Sequence, residues 1–338
     1  MSTLTRRDFL KNCALAAAAL PLTHLTATTP GLVRVAVDYI HIYSEPDFAA
    51  KRVMTRQRDE LLNIYAVETS GSGRNPLWYR LWGGYAHSAY LQPVAEHPQT
   101  PPSAVHTGGQ PAEVCVPFSR IHQRDKNGSW LALNRVYYQT VHWVTALEDG
   151  PDGRPWFKIE DIFQRSYYVD ARHLRLLTAA ELAPLATEIP AREKAIIVSI
   201  SEQRLWAYQR DKVVYETNIS SGRPQKGDLA PGEIPTDTLV GDFHVTVKTP
   251  SRHMGDKKFS DELNSGALIG VPWVSFFHES GLSLHGTFWH NNFGLRMSHG
   301  CINLRNDDAR WIYRWTAPTV GLLEQEVSSW GTRVSVRE

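Results

Sequence analysis

Alternation of apolar and polar positions dominates the chain. Val33, Val35, Val37 and Tyr39 recur at every second residue before a turn at Ser44-Glu45-Pro46, which is the period of a half-buried strand. The same stretch closes with Trp78-Tyr79-Arg80-Leu81, Tyr85-Ala86-His87 and Leu91-Gln92-Pro93-Val94. A second stretch opens with Val114 and Val116 and closes in parallel with Trp156-Phe157-Lys158-Ile159, Tyr168-Val169-Asp170 and Leu174-Arg175-Leu176-Leu177. The pattern predicts two repeated β units, residues 31–95 and 112–178, joined over 96–111 by a linker containing Pro98, Pro101, Pro102, Gly108 and Gly109. A connector over 179–192 follows, with a short helix predicted at 178–185 and punctuated by Pro184 and Pro190. Strand patterns then come at 195–200, 204–208 and 213–219, separated by Ser201-Glu202-Gln203 and Arg210-Asp211. Connections that short join only antiparallel neighbours, so a third domain, 193–338, opens as a β-meander. More strands are predicted at 243–248, 271–277 and 282–285. One late helix begins at Asn306 as N-cap, with Asp307 and Asp308 in its first turn, Trp311 and Trp315 one turn apart, and Pro318 ending it.

Composition narrows the function classes. With 36 basic against 35 acidic side chains, a net charge of +1 and no long run of like charge, the chain lacks the concentrated positive surface that nucleic acid or anionic lipid requires. Its 42% hydrophobic content supports a core and excludes disorder of the whole. Residues 1–30 read as an address: Thr5-Arg6-Arg7-Asp8-Phe9-Leu10-Lys11, an apolar run over 13–22, then small and polar residues over 23–29. The paired arginines resemble a twin-arginine signal, which implies the twin-arginine export machinery as partner, a periplasmic or cell-wall-associated location, and cleavage near Ala27. The apolar run is too short for a stable spanning helix, so no integral membrane span is expected. Cys13 would leave with this segment. Cys115 and Cys301 then remain; they could form a disulfide, yet Cys115 lies in an apolar strand pattern and Cys301 in a glycine-flanked polar loop. The two repeats resemble bacterial SH3-like barrels, which dock exported enzymes on cell wall or pack against their own catalytic domain.

The candidate chemistry lies between the last predicted strands and the late helix. His285-Gly286-Thr287 precedes Ser298-His299-Gly300-Cys301-Ile302-Asn303. A cysteine nucleophile must become thiolate, and a nearby imidazole accepts its proton and stabilises the charge. His285, at a strand end, can approach Cys301 from the side. His299, two residues from Cys301 in a tight turn, points less readily at it. Gly300 lets backbone N–H groups converge on one point, as an oxyanion requires. Each of these residues alone could be structural. Zinc ligation by His285, His290, His299 and Cys301 is an alternative with poor spacing and no carboxylate.

Those two segments resemble the signature of the L,D-transpeptidases, cysteine enzymes that cross-link peptidoglycan. Ser199-Ile200-Ser201-Glu202-Gln203-Arg204-Leu205-Trp206-Ala207-Tyr208, Ser221-Gly222, Gly270-Val271-Pro272-Trp273, and Asp308 with Trp311 and Tyr313 fit the same family over 193–338. Ile234-Pro235-Thr236-Asp237 departs from its common Thr-Pro-Thr-Gly. The resemblance implies Cys301 as nucleophile and His285 as base, with the Gly286 carbonyl orienting the imidazole. It also implies backbone N–H groups around His299, Gly300 and Cys301 as oxyanion donors, and no metal or organic cofactor. Ser298 and Asn303 would fix the turn, and Trp273, Phe288, Trp289 and His253 would wall the peptide cleft. The expected architecture is mainly β: two small SH3-like β-barrel modules, then a β-rich L,D-transpeptidase catalytic domain with a few short helices. The implied substrates are peptidoglycan stem peptides: the thiol would expel the terminal D-alanine of a tetrapeptide, and an amine acceptor would complete a 3→3 cross-link, or water an L,D-carboxypeptidase reaction. A thiol endopeptidase of another family and a non-catalytic wall-binding protein are the competing classes.

Overall fold

The computed structural model describes residues 31–225, 227, 236–255 and 267–338. Residues 1–30, expected to be an address segment, and Ile234 and Pro235 of the departing loop lie outside the described residues. The chain is mainly β.

In the first unit, Val33 and Val35 on one face and the equally buried Arg34 on the other set the strand Leu32–Val35, which pairs antiparallel with Leu61–Asn63 and Leu91–Val94. A second sheet orders Arg52–Gln57, Tyr39–Tyr43, Gly84–His87, Leu77–Leu81 and Ala66–Thr69. Val33, Val35, Ile42, Tyr79, Leu81 and Leu91 form its core. The second unit is one seven-stranded sheet, ordered Trp130–Tyr137, Phe118–Arg124, Ser166–Asp170, Pro155–Glu160, Val141–Asp149, Gln110–Val114 and Leu174–Leu176. In both units a one-turn 3₁₀ helix, Ser88–Tyr90 or Ala171–His173, leads into a last strand that pairs with the first. Among the described residues these strand orders are open, so the expected barrel closure is not seen. Cys115 is buried just past the strand Gln110–Val114, and both it and Cys301 are free thiols rather than a disulfide.

The connector helix is shorter than the pattern predicts, Ala179–Leu182, capped reciprocally by Thr178 and Glu181 and stopped before Pro184. The meander forms as Lys194–Ser199, Arg204–Gln209 and Lys212–Asn218. The sequence pattern does not reveal that Lys194–Ser199 also pairs parallel with the C-terminal strand Arg333–Arg337. The strand expected at 243–248 is two strands in two sheets. Gly241–His244 joins Arg333–Arg337, while Val247–Gly255 joins Ala267–Phe276. Val245, fully buried at the break, anchors the crossing. The late helix is Asn306–Trp315, and its N-cap is Arg305 rather than Asn306. Asn306 turns inward instead, its amide donating to Gln139 of the second unit at 3.3 Å. Asp308 accepts from Tyr215 (2.6 Å) and Thr217 (2.5 Å), and Trp311 stacks on Tyr215 at 4.1 Å, so the helix lies on the meander.

The core does not stop at the connector. Val141, Leu177 and Leu182 pack in one apolar cluster with Ile196, Val198, Trp273, Ile312 and Val334.

Candidate functional site

Two short parallel strands build the site. Ser283–Gly286 pairs with Ile302–Leu304 in the register Leu284 to Ile302 and His285 to Asn303. That register puts Cys301 level with Ser283 at the strand mouth. Parallel neighbours need a long connection, and the chain between Gly286 and Cys301 supplies it. Side chains two apart on a strand share a face, so Ser283 and His285 both turn toward Cys301. The Ser283 hydroxyl lies 3.5 Å from the Cys301 sulfur, and the sulfur also approaches the Gly281 carbonyl at 3.7 Å.

The imidazole is buried and oriented. His285 Nδ1 lies 2.9 Å from the Gly286 carbonyl oxygen, which can only accept, so Nδ1 carries the ring proton and Nε2 is the basic nitrogen left for the thiol. Burial pushes the Cys301 thiol up, but the hydrogen bond and charge of His285, helped by Ser283, outweigh it and leave the thiol below its usual 9.0. Cys115 is the contrast: burial pushes its thiol up to about 11. Gly286 has a steric reason as well. A Cβ there would meet Asn306 Oδ1 at 2.4 Å and Pro272 Cγ at 2.8 Å.

The turn carrying the thiol is pinned from behind. Met297 and Ser298 N–H donate to the Ser221 carbonyl, and Arg223 N–H donates to the Ser298 carbonyl. Thr238 Oγ1 accepts from Gly222 N–H (2.8 Å) and donates to the Gly300 carbonyl (2.7 Å). Ser298 Oγ donates to the Cys301 carbonyl. Gly300 adopts φ +105°, open to glycine and strained for any other residue. Asn303 pairs with Ser220 through the backbone, and its amide meets His290 Nε2 at 2.9 Å. His290 Nδ1 accepts from Asn292 N–H, and burial pushes this ring down to about 3, so it stays neutral.

The expected site residues separate into three groups. Cys301, His285, Gly286 and Gly300 come together, while His299 sits on the same turn with its side chain exposed. Ser298 and Asn303 hold that turn. The expected cleft walls are dispersed. Trp273, 1% exposed at φ +60°, lies in the core against Tyr313 and presents no ring surface to a ligand. Phe288 is buried and stacks on Tyr137 of the second unit at 5.3 Å. His253 lines a small recess with Trp143, Tyr167 and Gln325, to which Cys301 does not contribute. Only Trp289 remains half-exposed beside the pair, 5.8 Å from the His285 ring. Sequence reasoning missed Ser283, although its two-residue spacing from His285 was a usable signal. It also missed Thr238, which reaches Gly222 and Gly300 only in the fold. Among the described residues no group of three or more His, Cys, Asp or Glu side chains converges as metal ligands. No helix among them is long and apolar enough to cross a membrane.

Residues 193–336 match the family model of YkuD, the L,D-transpeptidase catalytic domain. YciB of Bacillus subtilis is 29% identical over 133 residues, 37% of this chain and 62% of that protein. L,D-transpeptidase 1 of Mycobacterium tuberculosis is 30% identical over 129 residues, 37% of this chain and 47% of that protein. The chain thus spans about half to three-fifths of the length of these relatives. The solved structure of L,D-transpeptidase 3 from Mycobacterium tuberculosis overlaps at 18% identity and a TM-score of 0.32, covering 51% of this chain and 74% of that one. The family model and the curated relatives together support a YkuD-type L,D-transpeptidase catalytic domain over residues 193–336.

Proposed function

We propose that this protein is an exported L,D-transpeptidase acting on peptidoglycan stem peptides through a Cys301 thioester. The carrying observation is the parallel register that sets Cys301 beside the strand of His285, with the imidazole's Nδ1 committed to the Gly286 carbonyl and the thiol lowered by that imidazole. A carbonyl orients less strongly than a carboxylate, but a thiol ionises more easily than a hydroxyl and needs less help.

In the first half-reaction the Sγ proton passes to His285 Nε2. The thiolate attacks the carbonyl carbon of the third residue of a tetrapeptide stem. Negative charge moves to the carbonyl oxygen, where backbone N–H groups of the His299-Gly300-Cys301 turn would receive it. The C–N bond to the terminal D-alanine then breaks, and His285 returns its proton to the departing amine. In the second half-reaction an amine from a neighbouring stem gives its proton to His285 and attacks the thioester carbonyl, and Cys301 leaves as thiol with that proton. The product is a 3→3 cross-link. Water in place of the amine would give a trimmed tripeptide.

The test is to incubate the mature protein with purified disaccharide-tetrapeptide and read products by mass spectrometry. A cross-linked dimer with loss of D-alanine is expected. Tripeptide without dimer would make the site a carboxypeptidase, and an unchanged substrate would remove the reading.

A further inference from the structure

The peptide between base and nucleophile is gripped by the first repeated unit. Asn291 N–H donates to the Ala89 carbonyl at 2.7 Å, and its side-chain amide donates to Tyr79 at 3.3 Å. Asn75 Nδ2 donates to Asn292 Oδ1 at 3.0 Å. The deepest of these contacts comes from Arg34, 1% exposed in the strand Leu32–Val35. Its Nη2 donates to the Phe288 carbonyl at 3.0 Å.

The rest of that guanidinium is fully committed. Nη1 donates to Asp59 at 2.7 Å and to the Val35 carbonyl at 3.3 Å, while Nε and Nη2 both reach Gln92 at 3.0 and 2.8 Å. Its Cζ lies 3.9 Å from the Tyr137 ring centre, and Arg135 takes the other Asp59 oxygen. All five donors of the fork therefore have acceptors. A buried ion pair is a poor source of stability compared with apolar packing, and its best-attested use is to specify one arrangement. Here the arrangement it specifies includes a main-chain carbonyl three residues after His285. The next ring, Trp289, lies against both His285 (5.8 Å) and Phe288 (5.0 Å). Beyond it, His290 binds the Asn303 amide two residues after Cys301, and Ser220 Oγ donates to the Asn292 carbonyl at 3.1 Å. The segment 288–292 thus touches the imidazole on one side and the strand behind the thiol on the other.

We propose that Arg34, held by Asp59 and Gln92, is a positioning residue for the thiol–imidazole pair: it fixes the Phe288 carbonyl and so seats Trp289 against His285. On this account residues 31–95 are part of the active-site frame rather than a detachable module. The inference rests on the reading of Cys301 and His285 as the reacting pair.

The experiment uses the full mature chain with Arg34→Met, Arg34→Lys and the milder Asn75→Ala. Iodoacetamide alkylation of Cys301, followed by peptide mass spectrometry across pH, reads the thiol directly, and acylation of Cys301 by the disaccharide-tetrapeptide reads its use. Arg34→Met should raise the alkylation midpoint and slow acylation by about 10²-fold, the effect of an ångström-scale displacement. Arg34→Lys, which keeps a charged donor, should recover part of both. Asn75→Ala should move both readouts in the same direction by less, and it decides the matter if Arg34→Met does not fold. Wild-type midpoints and rates in folded Arg34→Met, or in Asn75→Ala alone if the former is unfolded, would overturn the proposal. A wild-type Cys301 that alkylates like an ordinary thiol would instead overturn the catalytic reading beneath it.

Discussion

At the scale of the residue, the two free thiols should behave oppositely. Cys301, held below 9.0 by His285 and Ser283, should alkylate with a midpoint below that value, while Cys115, buried and pushed up to about 11, should resist modification through neutral pH. Equal reactivity of the two would contradict the electrostatics of the site. Cys301→Ala should abolish turnover, and a carbapenem, whose strained lactam carbonyl acylates an activated thiol, should add its mass to the wild type only. His285→Ala should slow acylation by roughly 10²- to 10⁴-fold, the usual worth of a positioned base. His299→Ala, whose ring is exposed, should have a smaller effect; a larger loss than His285→Ala in a folded protein would reverse the assignment. The candidate pair was legible because its residues are chemically distinctive and closely set in the chain. Ser283 and Arg34 were not: a lone serine and a lone arginine acquire meaning only from what lies across the strand or across the domain boundary.

At the scale of the element, the strand Ser283–Gly286 tolerates no side chain at its last position. Gly286→Ala would drive a Cβ into Asn306 and Pro272, at an overpacking penalty of about 1–3 kcal/mol, and would move the carbonyl that orients His285. A melting temperature and acylation rate both equal to wild type would refute this. The connector helix Ala179–Leu182 carries a second, pH-dependent contact. Burial raises the Glu181 carboxyl, but hydrogen bonds from Arg175, Thr178 and Arg310 prevail and bring it down to about 2. Because the folded value is depressed, its contribution is complete above the unfolded value near 4.5 and fades as pH falls toward 2. Glu181→Gln should therefore lower stability at pH 7 and bring the mutant and wild-type melting curves together near pH 2. A constant difference from pH 7 to pH 2 would mean the charge is not the source. The sequence shows the helix but not this function, since Arg175 and Arg310 lie far apart along the chain and meet Glu181 only through the fold.

At the scale of the whole molecule, residues 193–338 share their core with the second unit. A chain beginning at Ala191 would expose the apolar faces that Val141, Leu177 and Leu182 cover and would lose the Arg34 contact at Phe288. It should unfold without a cooperative transition. A stable, active fragment would restore the picture of repeats that merely dock. Two deeply buried histidines give the molecule an acid limit. Burial pushes His142 down to about 3, with His253 adding to the effect, and pushes His290 to about 3, with His285, Arg223 and Arg305 adding. Both stay neutral when folded and titrate near 6.5 when unfolded, so their contribution is full above that value and declines as pH falls toward 3. The loss is about 1.4 kcal/mol per pH unit for each. Urea unfolding at pH 7 and pH 5 should show it, and His142→Asn should reduce the slope; stability unchanged between those pH values would refute the neutral-histidine account.

What the sequence determined by itself was local in cause. Alternating apolar positions are enough to set a strand, because each residue's face follows from its neighbours two away, and this made the β character and the opening meander readable. Glycine beside histidine and cysteine marked the candidate chemistry for the same reason. The tertiary structure decided whatever depends on pairing across long separations. It made Lys194–Ser199 parallel to Arg333–Arg337, split 243–248 between two sheets, and turned Trp273 into core rather than cleft. It also laid the first unit on residues 288–292. No periodicity encodes such contacts, because they follow from which surfaces must be buried together once every local element has formed.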